Sequence, residues 1–154
     1  MTETIATITL DDKSILRRAP EIEHEKSVAI TDLLRENKFE PSGVNAGPYD
    51  VFLSIQENRL HSRITSEKLK GSLEVQIAIS PLKKIIKDYF IVCESYFEAV
   101  KSANPYKVQA IDMGRRGLHD EGAELLKQLL SGKIEVDFPT SRRLFTLICV
   151  LHIK

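Results

Sequence analysis

The sequence predicts an α+β fold: an antiparallel β-meander sheet with helices packed on one face. Three observations predict it. Between Val51 and Ile79, apolar residues recur at every second position in three successive runs, the period of strands with one buried and one wetter face. From Leu82 to Val100, and again in the last dozen residues, they recur at spacings of three and four, the helix period. The strand runs and the helical runs each come mostly as a block, giving the order β-α-β-β-β-α-α-β-α.

The elements follow in chain order. Ile5–Leu10 is rich in Thr and Ile and reads as a strand. Asp11–Pro20 is polar, carries Arg17 and Arg18 and ends in proline, so it reads as a connector. Over Glu21–Asn37, Ile22, Ala29, Ile30, Leu33 and Leu34 fall near one helical face, and an acidic first turn suits the helix dipole. Pro41–Pro48 holds Ser42, Gly43, Asn45 and Gly47 and reads as a loop.

The meander comes next. Val51, Leu53 and Ile55 form one inward set, Leu60, Ser62 and Ile64 the second, and Leu73, Val75, Ile77 and Ile79 the third. Glu57-Asn58 suits a tight turn between the first two strands, and Ser66–Ser72 a longer one. Ser80-Pro81 pairs a capping hydroxyl with a proline at the first helical position, opening a helix through Ile86, Tyr89, Cys93 and Val100. Asn104-Pro105 repeats that signal. The helix after it runs through Val108 and Ile111, meets Gly114 and Gly117, and resumes through Leu125–Leu130, with Gly132 as a stop. Ile134, Val136 and Phe138 read as a short strand, and Thr140 or Ser141 as the start of a last helix.

The bulk numbers bound the function. A chain of 154 residues fits a single globular domain, 1–154, and is long enough to bury a core without disulfides or metal. The 22 basic and 22 acidic residues balance, which counts against a dedicated nucleic-acid binder. Residues 1–60 carry net −4 and the remainder net +4, so a local basic patch in the second part remains open. The N-terminus has no cationic start leading into an apolar core, and the longest apolar stretch is too short to span a bilayer; a cytoplasmic protein is expected. Cys93 and Cys149 sit inside apolar helical patterns and read as buried reduced thiols.

The segment Ile111–Glu124, IDMGRRGLHDEGAE, is where chemistry concentrates. Gly114 and Gly117 permit positive φ and close backbone approach, and Arg115 and Arg116 offer planar forks for phosphate or carboxylate. Alternatively the helix is continuous. Val108, Ile111, Arg115, Leu118, Gly122, Leu125 and Leu129 then share a face, and Arg115 must find a carboxylate: Asp112, Asp120 or a distant Glu. His119, Asp120 and Glu121 offer a base and two acids, but neighbours on a helix point different ways and cannot all serve one site. Arg142 and Arg143 stand at an expected helix start, where cations are unfavourable, and so invite an anion. Arg59, His61 and Arg63 line one strand face, with Phe52 the one evident aromatic there; cross-strand ion pairing explains them more simply than base stacking. There is no His-x-x-x-His or Cys-x-x-Cys spacing, no Gly-x-Ser-x-Gly elbow and no phosphate-binding Walker loop, so no metal, cofactor or catalytic residue is expected.

Four runs together, EHEKSVAI, PLKKIIKDYFIVCESYFEA, AIDMGRRGLHDEGAELL and KIEVDFPTSRRLFTLICVLH, resemble uncharacterised protein family 0262, a bacterial family common in alphaproteobacteria. The resemblance covers nearly the whole chain, least well over Arg59–Ser72. It implies a cytosolic single-domain protein and carries no activity, substrate or catalytic residue. The expectation is therefore a binding protein. Its surface would be a turn at Gly114, Arg115, Arg116, Gly117 and His119, with Arg142 and Arg143 nearby, engaging an anionic small molecule or a protein partner. A second class is an enzyme on a phosphorylated or carboxylated small molecule, with His119 or Asp120 as acid/base. A third is RNA binding through the Gly-x-x-Gly turn.

Overall fold

The computed structural model describes residues 3–11 and 20–152. Apart from its ends, the connector expected over Asp11–Pro20 lies outside the described residues. The elements are β1 (Ile5–Leu10), α1 (Pro20–Arg35), β2 (Phe39–Pro41), β3 (Tyr49–Gln56), β4 (Arg59–Thr65), β5 (Leu73–Ala78), α2 (Lys83–Ser102), α3 (Pro105–Leu130), β6 (Ile134–Val136) and α4 (Phe138–His152). The fold is α+β, with four helices, a four-stranded sheet and a small two-stranded one among the described residues.

The expected meander is present as β3-β4-β5. Val51 sits opposite Ile64, Leu60 opposite Ile77 and Ser62 opposite Val75, so the inward sets face the same side. Glu57 and Asn58 join β3 to β4 with φ of 53° and 62°. Two successive residues in the left-handed region give the twist that a two-residue hairpin turn requires.

The sheet is not wholly antiparallel. Its order is β1-β3-β4-β5, and β1 runs parallel to β3, with Ile8 opposite Val51 and Leu10 opposite Leu53. The reason lies in the connection. Parallel neighbours need a long crossover, usually helical, and α1 supplies it between β1 and β3. The expected loop at Pro41–Pro48 also begins later than the ordered backbone: Phe39–Pro41 forms β2 and pairs antiparallel with β6. Three residues ending in proline are too few to show a strand period.

The helix boundaries correct the sequence reading in three places. Ser80-Pro81 opens a single 3₁₀ turn, Ser80–Leu82, with no side-chain cap, before α2 begins at Lys83. The last strand stops at Val136, and α4 starts at Phe138 rather than Thr140 or Ser141; Asp137 Oδ1 accepts the Thr140 amide at 3.0 Å as an N-cap would. Most consequentially, α3 is one uninterrupted helix of 26 residues. Its start is as expected, with Asn104 Oδ1 accepting the Tyr106 and Lys107 amides at 3.2 Å and Pro105 in the first turn. Gly132, with φ of 84°, follows its end. A glycine inside a helix costs roughly 1 kcal/mol relative to alanine, too little to break a helix held along its other face.

The core joins the inward face of the sheet to the helices: Leu33 of α1, Tyr49 and Val51 of β3, Ile64 of β4, Ile86 of α2, Leu126 of α3, and Phe145 and Leu147 of α4. α4 is buried almost continuously from Leu144 to Leu151. It is anchored by hydroxyls as well as by carbon. Ser141 Oγ donates to the Ala123 carbonyl at 2.6 Å, tying α4 to α3, and Thr140 Oγ1 accepts the Lys38 amide at 3.0 Å. Where α3 crosses α4, Gly122 leaves room for the Phe145 ring. Among the described residues, no helix is long and apolar enough to cross a membrane.

Candidate functional site

The outer half of α3 brings its polar residues over α1, α2 and α4, and the chemistry of the chain gathers there. Arg115 lies on the packed side of α3, 21% exposed at its side chain, because the helix does not break at the glycines. A guanidinium placed there needs partners. It makes two hydrogen bonds to Asp112 Oδ1, 2.7 Å from Nη2 and 3.2 Å from Nε, and a third at 3.3 Å to Glu25 Oε1 of α1. Its Cζ stacks 4.4 Å from the Tyr96 ring centroid, the cation–π contact that suits a half-buried arginine. Asp112 also holds Arg116, whose Nε lies 3.0 Å from Oδ2. Hydrogen bonding to Arg115, opposed by partial desolvation and helped by the charges of both arginines, lowers the Asp112 carboxyl below its usual range.

One turn further along, His119 is held at both ring nitrogens. Arg142 Nη2 donates to Nδ1 at 3.1 Å. A guanidinium can only donate, so Nδ1 carries the lone pair and the proton sits on Nε2. Nε2 then faces Thr146 Oγ1 at 2.8 Å and the Arg142 carbonyl at 3.0 Å. The ring stacks on Tyr89, 5.4 Å between centroids and 27° between planes, with Phe145 at 5.7 Å. Burial, reinforced by the Arg142 charge, pushes the His119 pKa down to about 4. The imidazole is therefore neutral at pH 7 and works as a strut that orients Arg142.

Arg142 completes the arrangement. Its Nε lies 3.0 Å from Asp120 Oδ1, but outside hydrogen-bond geometry and shut off from solvent. The contact is Coulombic. Together Glu25, Tyr89, Arg115, Arg116, His119, Asp120 and Arg142 line a cleft of about 510 Å³, a size suited to a small organic ligand. A second chamber of about 300 Å³ adjoins it, sharing Glu25, His119 and Arg142 and adding Arg143 and Thr146.

The thiols do not belong to this chemistry. Burial raises Cys93 to about 11, and Cys149 is likewise pushed up by desolvation, so both are protonated. Tyr89 is also raised, chiefly by burial. Among the described residues, no group of three His, Cys, Asp or Glu side chains is placed to hold a metal ion.

The family described as "Uncharacterised protein family (UPF0262)" matches residues 2–154. The chain belongs to UPF0262. Similar relatives include UPF0262 proteins of Paramagnetospirillum magneticum, 50% identical over 99% of this chain and 97% of the relative, and of Rhizobium johnstonii, 50% identical over 96% and 94%. A UPF0262 protein of Brucella anthropi is 53% identical over 92% of this chain and 89% of its own. No solved structure matches the fold.

Within this UPF0262 chain, the structure sorts the residues singled out from sequence. Arg115, Arg116, His119 and Arg142 line one cleft, and Arg143 lines the adjoining chamber, where its Nη1 also donates to the Glu36 carbonyl at 3.4 Å. Gly114 and Gly117 do not join them. They are helical, exposed and face open space, so this stretch forms neither an Arg/Gly-rich turn nor a Gly-x-x-Gly clamp. The anion-binding backbone geometry that a turn would offer is consumed by helix hydrogen bonds. Arg142 and Arg143 stand one turn into α4, not at its first residues. His119 and Asp120, although adjacent, both line the cleft, while Glu121 does not; the cleft is broad enough to span two neighbouring helix faces. Sequence reasoning missed Glu25 and Tyr89, which arrive from α1 and α2. Their only local signals were an acid near a helix start and an aromatic on an apolar face, and neither points to a site.

Proposed function

We propose that this UPF0262 protein is a binding protein whose cleft takes a small organic anion, a carboxylate or phosphate, on Arg116 and Arg142. The observation that carries this reading is the convergence of three guanidinium groups, from α3 and α4, on one concave cleft of about 510 Å³. The three arginines have different tasks. Arg115, held by Asp112 and Glu25, builds the wall. Arg116 is 71% exposed and meets a ligand at the mouth. Arg142, whose Nη2 is held by His119, presents its remaining Nη hydrogens to the cleft. A concave site of this volume favours a small molecule over a flat protein partner.

An enzyme reading draws less support from the same geometry. His119 is neutral with both ring nitrogens engaged, both cysteines are protonated, and Asp120, the other acid/base of that reading, lies against Arg142 Nε. The RNA reading required a Gly-x-x-Gly turn, which the continuous α3 replaces.

The test is isothermal titration with inorganic phosphate and with succinate, on wild type, Arg116→Ala and Arg142→Lys. Loss of a charge-assisted hydrogen bond should weaken binding about tenfold or more in either variant. If neither anion binds wild type, or both variants bind as wild type does, the reading is wrong.

A further inference from the structure

The second chamber has a different character from the first. Its walls include Val28 and Ala29 of α1 and Phe138 and Pro139 at the start of α4, with Arg143 and Asp32 among its polar lining. Val28 is a large apolar side chain left open to solvent, 42% exposed. The first chamber, by contrast, is walled by five charged side chains, His119 and Tyr89. The two are not separate sites, because Glu25, His119 and Arg142 line both. Arg142 therefore stands at the junction between a charged chamber and a mixed one, where Val28, Ala29, Phe138 and Pro139 form an apolar wall beside the polar groups.

A phosphate ion or a short dicarboxylate would use only the charged chamber. A ligand that fills both carries its acid at one end and hydrocarbon at the other. From this juxtaposition we infer that the ligand class is an amphipathic organic acid, its acid group on Arg116 and Arg142 and its apolar part against Val28, Ala29 and Phe138. The inference rests on the anion-binding reading of the cleft and narrows it. Apolar burial supplies the affinity, and the arginines set the orientation, the usual division of labour in small-molecule sites.

The experiment is a titration of linear monocarboxylates from acetate to octanoate, with inorganic phosphate alongside, into wild type and Val28→Asn. Val28 is partly exposed and makes no part of the arginine network, and a neutral amide adds no charge beside Glu25 and Asp32, so the substitution leaves the charge of the first chamber unchanged. In wild type, affinity should rise about three- to fourfold per added methylene until the chamber is filled. In Val28→Asn that rise should flatten, while phosphate binds as in wild type. If phosphate or acetate binds but affinity does not grow with chain length, or grows equally in both proteins, the amphipathic class is wrong and the anion cleft stands. If no acid and no phosphate binds, the cleft reading falls and this inference with it.

Discussion

Three glycines lie on α3, and their alanine variants should move stability in opposite directions. At Gly122 a Cβ would land within the Phe145 ring, with Cε2 at 2.7 Å and Cζ and Cε1 nearer still. Real Cβ contacts do not come so close, so the ring or the α3–α4 spacing must shift. Phe145 is fully buried and cannot swing to solvent. It also packs against Tyr89 at 5.9 Å and His119 at 5.7 Å between centroids, so its displacement reaches the cleft. Alanine gains about 1 kcal/mol of helix propensity over glycine, and overpacking a core of this kind costs about 1–3 kcal/mol or more. With three ring atoms in conflict, the upper end applies, and Gly122→Ala should lose on the order of 2 kcal/mol net. At Gly114 and Gly117 a Cβ would meet nothing within 4 Å, and both lie on exposed helical backbone without positive φ. There Ala should gain about 0.5–1 kcal/mol at each site. The assay is urea unfolding followed by far-ultraviolet circular dichroism, since the chain has no tryptophan. A second variant, Gly122→Ala with Phe145→Leu, should recover part of the loss by making room. Should Gly122→Ala match or exceed wild type, the packing argument fails. Should Gly114→Ala and Gly117→Ala destabilise, α3 is not continuous in solution and the whole placement of Arg115 must be redrawn.

Other outcomes follow from the same network. The unfolded His119 takes up its proton below about pH 6.5 but the folded one only below about 4, so the unfolded chain binds more protons between those values. Stability should thus fall as pH drops through that window, by up to about 3 kcal/mol from this group, and be insensitive to it above; urea midpoints at pH 4.5 and 7.5 should converge in His119→Gln. Arg115→Ala leaves Asp112 and Glu25 facing a half-buried gap and should lower the melting temperature clearly, by about 1–3 kcal/mol equivalent, whereas Arg116→Ala should stay within about 0.5 kcal/mol of wild type. Equal melting of the two variants would mean that Arg115 does not tie Asp112 and Glu25 together as described. Asn104→Ala should cost about 1 kcal/mol by removing the α3 cap, read from the same urea curves. Cys93 and Cys149 should resist iodoacetamide in native protein at pH 7.5 and react once unfolded; rapid native labelling would contradict their burial.

Much of the architecture was legible in particular runs of residues. The alternation of Val51, Leu53 and Ile55 with Leu60, Ser62 and Ile64 places the meander and its register, because a strand has only two faces. Asn104-Pro105 marks the start of α3, since an amide side chain and an N–H-free proline satisfy a helix end locally. The parallel β1–β3 pair was less visible. Strand direction depends on where a connection returns the chain, not on composition within the strand. Gly114 and Gly117 misled because permissive residues announce what the backbone is able to do, whereas the packing of Leu126, Ala123 and Gly122 against its neighbours decided what it does.

The same division runs through the site. The sequence alone determined that Arg115, Arg116 and His119 would be near one another and that a buried Arg115 would need a carboxylate, since helix geometry and the cost of an unpaired charge are local facts. Only the tertiary structure decided which carboxylates those are, Asp112 within the turn and Glu25 some ninety residues away in the chain. It alone set Arg142 against His119, fixing the ring's tautomer and its neutrality. Residues distant in sequence meet because apolar faces on α1, α2, α3 and α4 bury one another, and that burial, not any motif, is what assembles the cleft.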